Sequence, residues 1–245
     1  MVDLHAHLLP GVDDGADALE DAVRMCEVAA ADGVRAAVAT PHQRHEWWPN
    51  ADRNDLEARF KSLLGAVGST LALSLGAEIR VDSELLTEVD LLPDGSLLPL
   101  AGSRYLLLEL PPVPVGPDPR AVVHELAVTG WRPVLAHPER IPWLAEQPGS
   151  LVELVERGAL LQLTAMSVTG AFGRRARECC TFLLDNDLAH FVASDAHDAS
   201  KRPPVLSDAV RVIAEGWGEE RARLLTEDNP RAVLEDRPIS KDVKS

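Results

Sequence analysis

The sequence predicts an α/β fold on a parallel sheet, in one domain. Two observations carry this. Short apolar runs of strand length alternate with longer helix-like patterns, and no linker, repeat or low-complexity stretch divides the chain. A third is size: 245 residues with 46% hydrophobic and 26% charged content suit a globular chain with one large core, and exclude a disordered chain or a coiled coil.

Val2–His5 opens as a buried strand. Leu19, Val23, Cys26 and Ala30 then follow 4-3-4 spacing, the stripe of a helix packed on one side, and Gly33 sits where that helix would stop. Arg35–Thr40, Leu71–Ala77 and Tyr105–Leu110 read as strands, nearly continuous in Ala, Val and Leu as parallel strands buried on both faces are. The Pro-rich segment Pro111–Pro119 follows the last of these and reads as a loop on the active side. Pro133–His137 is the next strand. Ser150 is placed to cap a helix through Val155, with Gly158 beyond it. Ala159–Thr164 and His190–Ser194 complete seven predicted strands, and Leu206, Val210, Ile213 and Trp217 mark a closing helix. Seven or eight such units can close into a barrel. Residues 1–237 read as the domain, and 238–245 as a polar, frayed tail.

The formal net charge is −15, a poor match for nucleic acid or an anionic membrane. No apolar run approaches the ~20 residues of a membrane span. The beginning, MVDLHAHLLP, carries no basic region or signal-type core. Cys26, Cys179 and Cys180 do not form a disulfide framework, so a reduced cytoplasm is the expected location.

Chemistry gathers at the strand ends. The first ends in His5-Ala6-His7, the second in Thr40-Pro41-His42 and the third in Gly76-Ala77-Glu78. The fourth contains Glu109, the fifth ends in His137-Pro138-Glu139-Arg140, and the seventh in Ser194-Asp195-Ala196-His197. Residues at i and i+2 of a strand point the same way, which pairs His5 with His7 and Asp195 with His197. In a parallel barrel all these ends lie on one face, the face that carries barrel active sites. Asp14, in the loop GVDDG, can join them. Four carboxylates placed together would repel one another unless cations neutralise them. Imidazole with carboxylate suits Mn, Fe or Zn. Arg140 and Arg202 would add positive charge fit for a phosphate dianion.

In this order, the HxH pair, DDG, TPH, GAE, AHPER and SDAH resemble the PHP (polymerase and histidinol phosphatase) superfamily. More narrowly, VDLHAHLLPGVDDGA, SRYLLLEL, HPER, SDAHDASKRPP and EDNPR resemble the bacterial manganese-dependent protein-tyrosine phosphatases of capsule and exopolysaccharide operons, from Met1 to about Asp236. The resemblance implies a distorted (β/α)7 barrel with a trinuclear site, most simply of Mn. It implies that His5, His7, Glu78 and Asp195 hold one metal, with Glu78 bridging to a second held by Glu109 and His137. Asp14, His42 and His197 would hold a third. Arg140 and Arg202 would grip phosphate, whose oxygens a guanidinium fork matches. It implies a metal-activated hydroxide as nucleophile and, as partner, a phosphotyrosine protein such as the tyrosine-rich tail of a bacterial tyrosine kinase of polysaccharide synthesis. Two stretches depart from the family: QRHEWWPN, with Trp47 and Trp48, and QLTAMSVTGAFGRR, with Thr164 where relatives often carry Asn.

Several positions stay open. Asp13 competes with Asp14 as ligand, the loser capping the next helix. The alternative for Arg140 is an ion pair with Glu139, and for Arg202 a solvated loop position. Trp47 and Trp48 could wall a phosphotyrosine ring or pack on one another. His45 could approach the pocket mouth, while His124 and His190 read as structural. Gly170–Gly173 lacks the setting of a phosphate loop. Six positions after Cys26, Cys179 and Cys180 stand Asp32, Asp185 and Asn186, so no Cys-x5-Arg phosphatase loop exists. A small-molecule phosphatase of the histidinol-phosphate type, or a non-catalytic binding module, are the rival readings.

Overall fold

The structure is a computed structural model that describes residues 1–92 and 95–239. Nine parallel strands are found among the described residues: β1 (Val2–Ala6), β2 (Ala36–Ala39), β3 (His42–Gln43), β4 (Ala72–Leu75), β5 (Glu78–Arg80), β6 (Tyr105–Glu109), β7 (Arg132–Ala136), β8 (Leu160–Thr164) and β9 (Phe191–Ala193). They form a three-stranded sheet, β1-β2-β4, and a six-stranded sheet, β3-β5-β6-β7-β8-β9.

The difference from seven expected strands has a local cause. The two strands beyond the seven expected, β3 and β5, each lie past the end of an expected run, β3 after a break at Thr40-Pro41 and β5 after one at Gly76-Ala77. Pro41 has no N–H to give a ladder. A Cβ on Gly76 would stand 3.0 Å from Leu100 Cα and 3.1 Å from Val38 Cγ1, so any side chain there would press on its neighbours and glycine eases the close passage. Pairing crosses the break through Gly76 N to Ala39 O (2.9 Å) and Glu78 N to Pro41 O (3.0 Å).

The two sheets also meet where the first and last strands touch. Asp195 N donates to His5 O and His7 N to Ala196 O, both at 2.8 Å. Beside this seam the buried Asp3 carboxylate accepts from Ser194 Oγ (2.5 Å) and Ser194 N (3.0 Å). The strands expected to form a barrel are thus arranged as two parallel sheets that touch at these two places.

Helices cover the sheets. The 4-3-4 stripe forms Leu19–Asp32, and Gly33 ends it in the left-handed region at φ 96°. The closing helix spans Ser207–Trp217. The Asp32 carboxylate accepts from the N–H groups of Leu206 (2.7 Å) and Ser207 (3.0 Å), an anion at the positive end of the helix. Ser150 does not cap as expected. It is the first residue of the helix Ser150–Glu156, and its hydroxyl donates to Gln147 O at 2.8 Å.

Leu106, Leu107 and Leu108 of β6 are all fully buried, each contributing about 2 kcal/mol of apolar burial, which explains an unbroken apolar run. Strand alternation puts Tyr105, Leu107 and Glu109 on one face, so a face that is core at its start carries a carboxylate at its end. Past Arg237 the chain remains on the core: Tyr105 Oη donates to Arg237 O at 2.6 Å, and Ile239 packs against the cluster around Tyr105. Residues 240–245 of the expected tail lie outside the described residues.

Candidate metal centre

All nine candidate ligands meet at the strand C-termini. Each lies within 3.8 Å of another, and Glu78 is central. Glu78 Oε2 stands 3.0 Å from His42 Nδ1 and 3.5 Å from Nε2 of both His5 and His7; Oε1 stands 2.7 Å from His137 Nε2. Asp195 Oδ1 faces His5 (3.5 Å), His7 (3.6 Å) and His197 (3.7 Å). Asp14 Oδ1 stands 3.5 Å from His42 Nε2 and 3.4 Å from His197 Nε2. Glu109 Oε2 is 3.8 Å from His42 Nδ1.

Donor atoms converge in four overlapping sets: His7, Asp14, His42 and His197; His5, His137 and Asp195; His5, His7 and Glu78; His42, Glu78 and Glu109. These overlap the expected three-metal partition without matching it. His7 joins the Asp14 corner, His42 also reaches Glu78 and Glu109, and His137 also reaches His5 and Asp195.

The donor chemistry fits cations. His42 Nδ1, Glu78 Oε2, Glu109 Oε2 and His137 Nδ1 are buried without a hydrogen-bond partner, a costly state that a metal ion removes. Electrostatics agree. Burial works against a charged His42, yet Glu78 and Asp14 outweigh it and lift its pKa to about 9. Burial likewise opposes protonation of His7, but Asp13, Asp195 and Glu78 raise it well above the usual imidazole value. Glu109 is pushed up by burial and by the Glu78 charge beside it. The acids thus draw protons onto imidazoles, and a divalent ion takes the place of those protons.

The neighbours of these side chains are buried too. Asp13 neither joins the donors nor caps a helix. Its Oδ2 accepts from His7 Nδ1 (2.8 Å) and His42 N (3.0 Å), its Oδ1 from Gly15 N (3.0 Å), and this fixes the His7 ring. Gln162 Oε1 stands 2.9 Å from His5 Nδ1 and does the same for His5. Gln162 escaped the sequence reading, although one amide inside the apolar run Leu160–Thr164 was the available signal. His137 (φ 32°) and Asp195 (φ 52°) are both held in the left-handed region, strain that the surroundings sustain.

Both arginines face the centre. Arg140 pairs with Asp195 Oδ2, and Arg202 Nη2 reaches Asp195 Oδ2 (2.8 Å) and O (3.0 Å). The Arg140–Glu139 pair does not form. Glu139 turns inward and accepts from Thr164 N at 2.9 Å. Phe172, in the glycine segment, lies under both guanidinium groups, 4.4 Å from that of Arg140 and 5.8 Å from that of Arg202. A further arginine was not foreseen: Arg80 Nη2 lies 3.1 Å from Glu109 Oε2. Nothing marks Arg80 in the sequence except its place two residues after Glu78.

At the rim Trp48 stacks on His42 (5.3 Å, 7° between planes) and on His45 (4.8 Å). Trp47 meets Trp48 edge-on and is 71% exposed. His45 is therefore buried beside the centre, whereas His124 is exposed on its helix. His190 Nδ1 accepts from Leu161 N at 3.1 Å, a structural role as expected. The three cysteines are buried and free, and burial pushes the Cys26 and Cys179 thiols up to about 12.

A parallel α/β scaffold that gathers imidazoles and carboxylates at its strand C-termini defines a divalent-metal protein. Comparison narrows the class. The model of the capsular polysaccharide synthesis CpsB/CapC family matches residues 1–235, and the chain belongs to that family. It is 34% identical over 241 residues to the tyrosine-protein phosphatase YwqE of Bacillus subtilis (strain 168), covering 98% of this chain and 93% of that one. It is 28% identical over 246 residues to the tyrosine-protein phosphatase CpsB of Streptococcus pneumoniae, covering 98% and 100%. A solved structure from work on YwqE and CpsB, described as unique metal-dependent tyrosine phosphatases, superposes with a TM-score of 0.85 at 32% identity, covering 98% and 96%. No helix among the described residues is long and apolar enough to cross a membrane.

Proposed function

We propose that this chain is a metal-dependent phosphomonoesterase that removes phosphate from protein phosphotyrosine. One observation carries the reading: nine imidazole and carboxylate donors and two guanidinium groups converge on one face of a parallel α/β fold. In this reading His5, His7, Asp14, His42, Glu78, Glu109, His137, Asp195 and His197 hold three divalent ions, with manganese the first choice for an oxygen and imidazole donor set. Such ions supply hydroxide at neutral pH and stabilise attacking and leaving oxygens.

The protein's own groups do the rest. Asp195 turns Oδ1 to the imidazoles and Oδ2 to the arginines, so Arg140 and Arg202 are fixed at the edge of the donor cluster. Their remaining N–H groups would serve the nonbridging oxygens of a phosphate. Asp13 and Gln162 hold His7 and His5 in register. A phenolate leaves readily enough that no strong general acid is required. The relatives named tyrosine-protein phosphatases and the family's place in capsular polysaccharide synthesis support a phosphotyrosine protein as substrate, with the tail of a bacterial tyrosine kinase the partner we favour. Buried free thiols support a cytoplasmic setting.

Elemental analysis of purified protein beside a turnover assay tests this. The expected result is bound divalent metal, hydrolysis of a phosphotyrosine peptide but not of histidinol phosphate, loss with EDTA and recovery with Mn²⁺. Iodoacetamide should do little, since the thiols are buried and protonated. Inactivation by iodoacetamide with EDTA ineffective would sink the mechanism; histidinol phosphate as the better substrate would move the chain to the small-molecule class.

A further inference from the structure

The large exposed apolar side chains among the described residues are Trp47, Leu64, Leu91, Val113, Val115 and Val128. Half of them, Trp47, Val113 and Val115, line one groove of about 530 Å³. That groove shares Arg80 and Pro112 with a smaller cavity of about 160 Å³, whose wall includes Glu109, His137 and Arg140. An apolar surface trench therefore opens onto the candidate metal centre. Its far wall is 111–116, the first part of the Pro-rich segment, where closely spaced prolines fix φ and leave little to order on binding.

From this geometry we infer that the trench between Trp47 and the Val113–Val115 segment seats the residues flanking the phosphotyrosine, as an extended peptide with apolar side chains. The inference rests on the phosphotyrosine reading above and adds where, and by what chemistry, the protein part of the substrate is held. Continuity fixes the direction: a phosphate at Arg140 and Glu109 leaves its ester oxygen and the chain behind it to pass Arg80 and Pro112. Charge narrows the peptide. The wall's arginines are already committed, Arg44 to Asp82 and Glu88 and Arg80 to Glu109, while Glu46 adds a negative charge, so acidic flanks are disfavoured. Contiguous exposed apolar surface beside a reactive centre is what a docking segment needs.

The test uses the metal-loaded full chain and two substrates: a phosphotyrosine peptide with apolar flanks, and p-nitrophenyl phosphate, which cannot reach the trench. In the double variant V113D/V115D the ratio of peptide KM to p-nitrophenyl phosphate KM should rise at least 10-fold, a change of about 1.4 kcal/mol. V128D, exposed but outside the trench, should keep the ratio of the parent protein. A phosphonate peptide carrying benzoylphenylalanine two positions from the phosphotyrosine mimic should cross-link to a trench wall, within 44–47 or 111–116. An unchanged ratio in V113D/V115D, or cross-linking outside these walls, overturns the inference and leaves the phosphatase reading intact. A parent protein that hydrolyses the small ester and no phosphotyrosine peptide overturns both.

Discussion

The buried donor cluster and the aromatic loop at its edge are built to different standards. At the donors three rings are held by side-chain partners: His7 by Asp13, His5 by Gln162, His137 by Glu78, with φ values for His137 and Asp195 that a relaxed chain avoids. At the edge Trp48 merely stacks on His42 and His45, and Trp47 stands in solvent. The contrast teaches that side-chain position is over-determined among the converging donors and left adjustable at the exposed rim.

Substitutions can break that contrast in graded steps. The largest effect should come from Arg140→Lys, which keeps charge but loses the fork. A drop in kcat/KM of about 10²–10³ is expected with metal content unchanged, read by steady-state kinetics beside elemental analysis. Asp13→Asn should weaken metal binding by roughly 10- to 100-fold while leaving the unloaded fold intact, read by metal titration. Trp48→Ala should cost only roughly 2- to 10-fold in the same titration, the worth of one stacking contact. If Trp48 proved as costly as Asp13, the two regions would not differ in kind.

The smallest effect is a pH slope in the chelated protein. The folded pKa of His42, about 9, lies above its ordinary value of 6.5. Its contribution to stability is complete below pH 6.5 and disappears as pH rises through about 9. Thermal melts of the metal-free protein should therefore fall by a few degrees from pH 6.5 to 9. The His42→Asn variant should reduce that slope, with His7 and His137, also raised, supplying the remainder.

The donors were legible in the sequence because chemistry at a strand end repeats every second residue, as in His5/His7 and Asp195/His197. Gly33 was legible because a helix stop needs a left-handed residue. The short strands β3 and β5, past Pro41 and Gly76, were not, because the close passage at Gly76 is set by Leu100 and Val38, which are distant in sequence. The roles of Asp13 and Asp14 could not be separated by spacing, since only the fold turns one towards Gly15 and the other towards His197. Arg140 forsook its neighbour Glu139 for a residue 55 positions away, and Arg80 and Phe172 act through partners no local pattern reveals.

The Asp3–Ser194 contact carries a consequence for biogenesis. It joins residues 191 positions apart, and closing so long a loop costs about 4–5 kcal/mol in chain entropy beyond a constant. During synthesis His5 and His7 appear nearly 190 residues before Asp195 and His197. Ribosome-bound fragments therefore offer scavenging cations an unfinished cage, and metallation belongs to the completed protein.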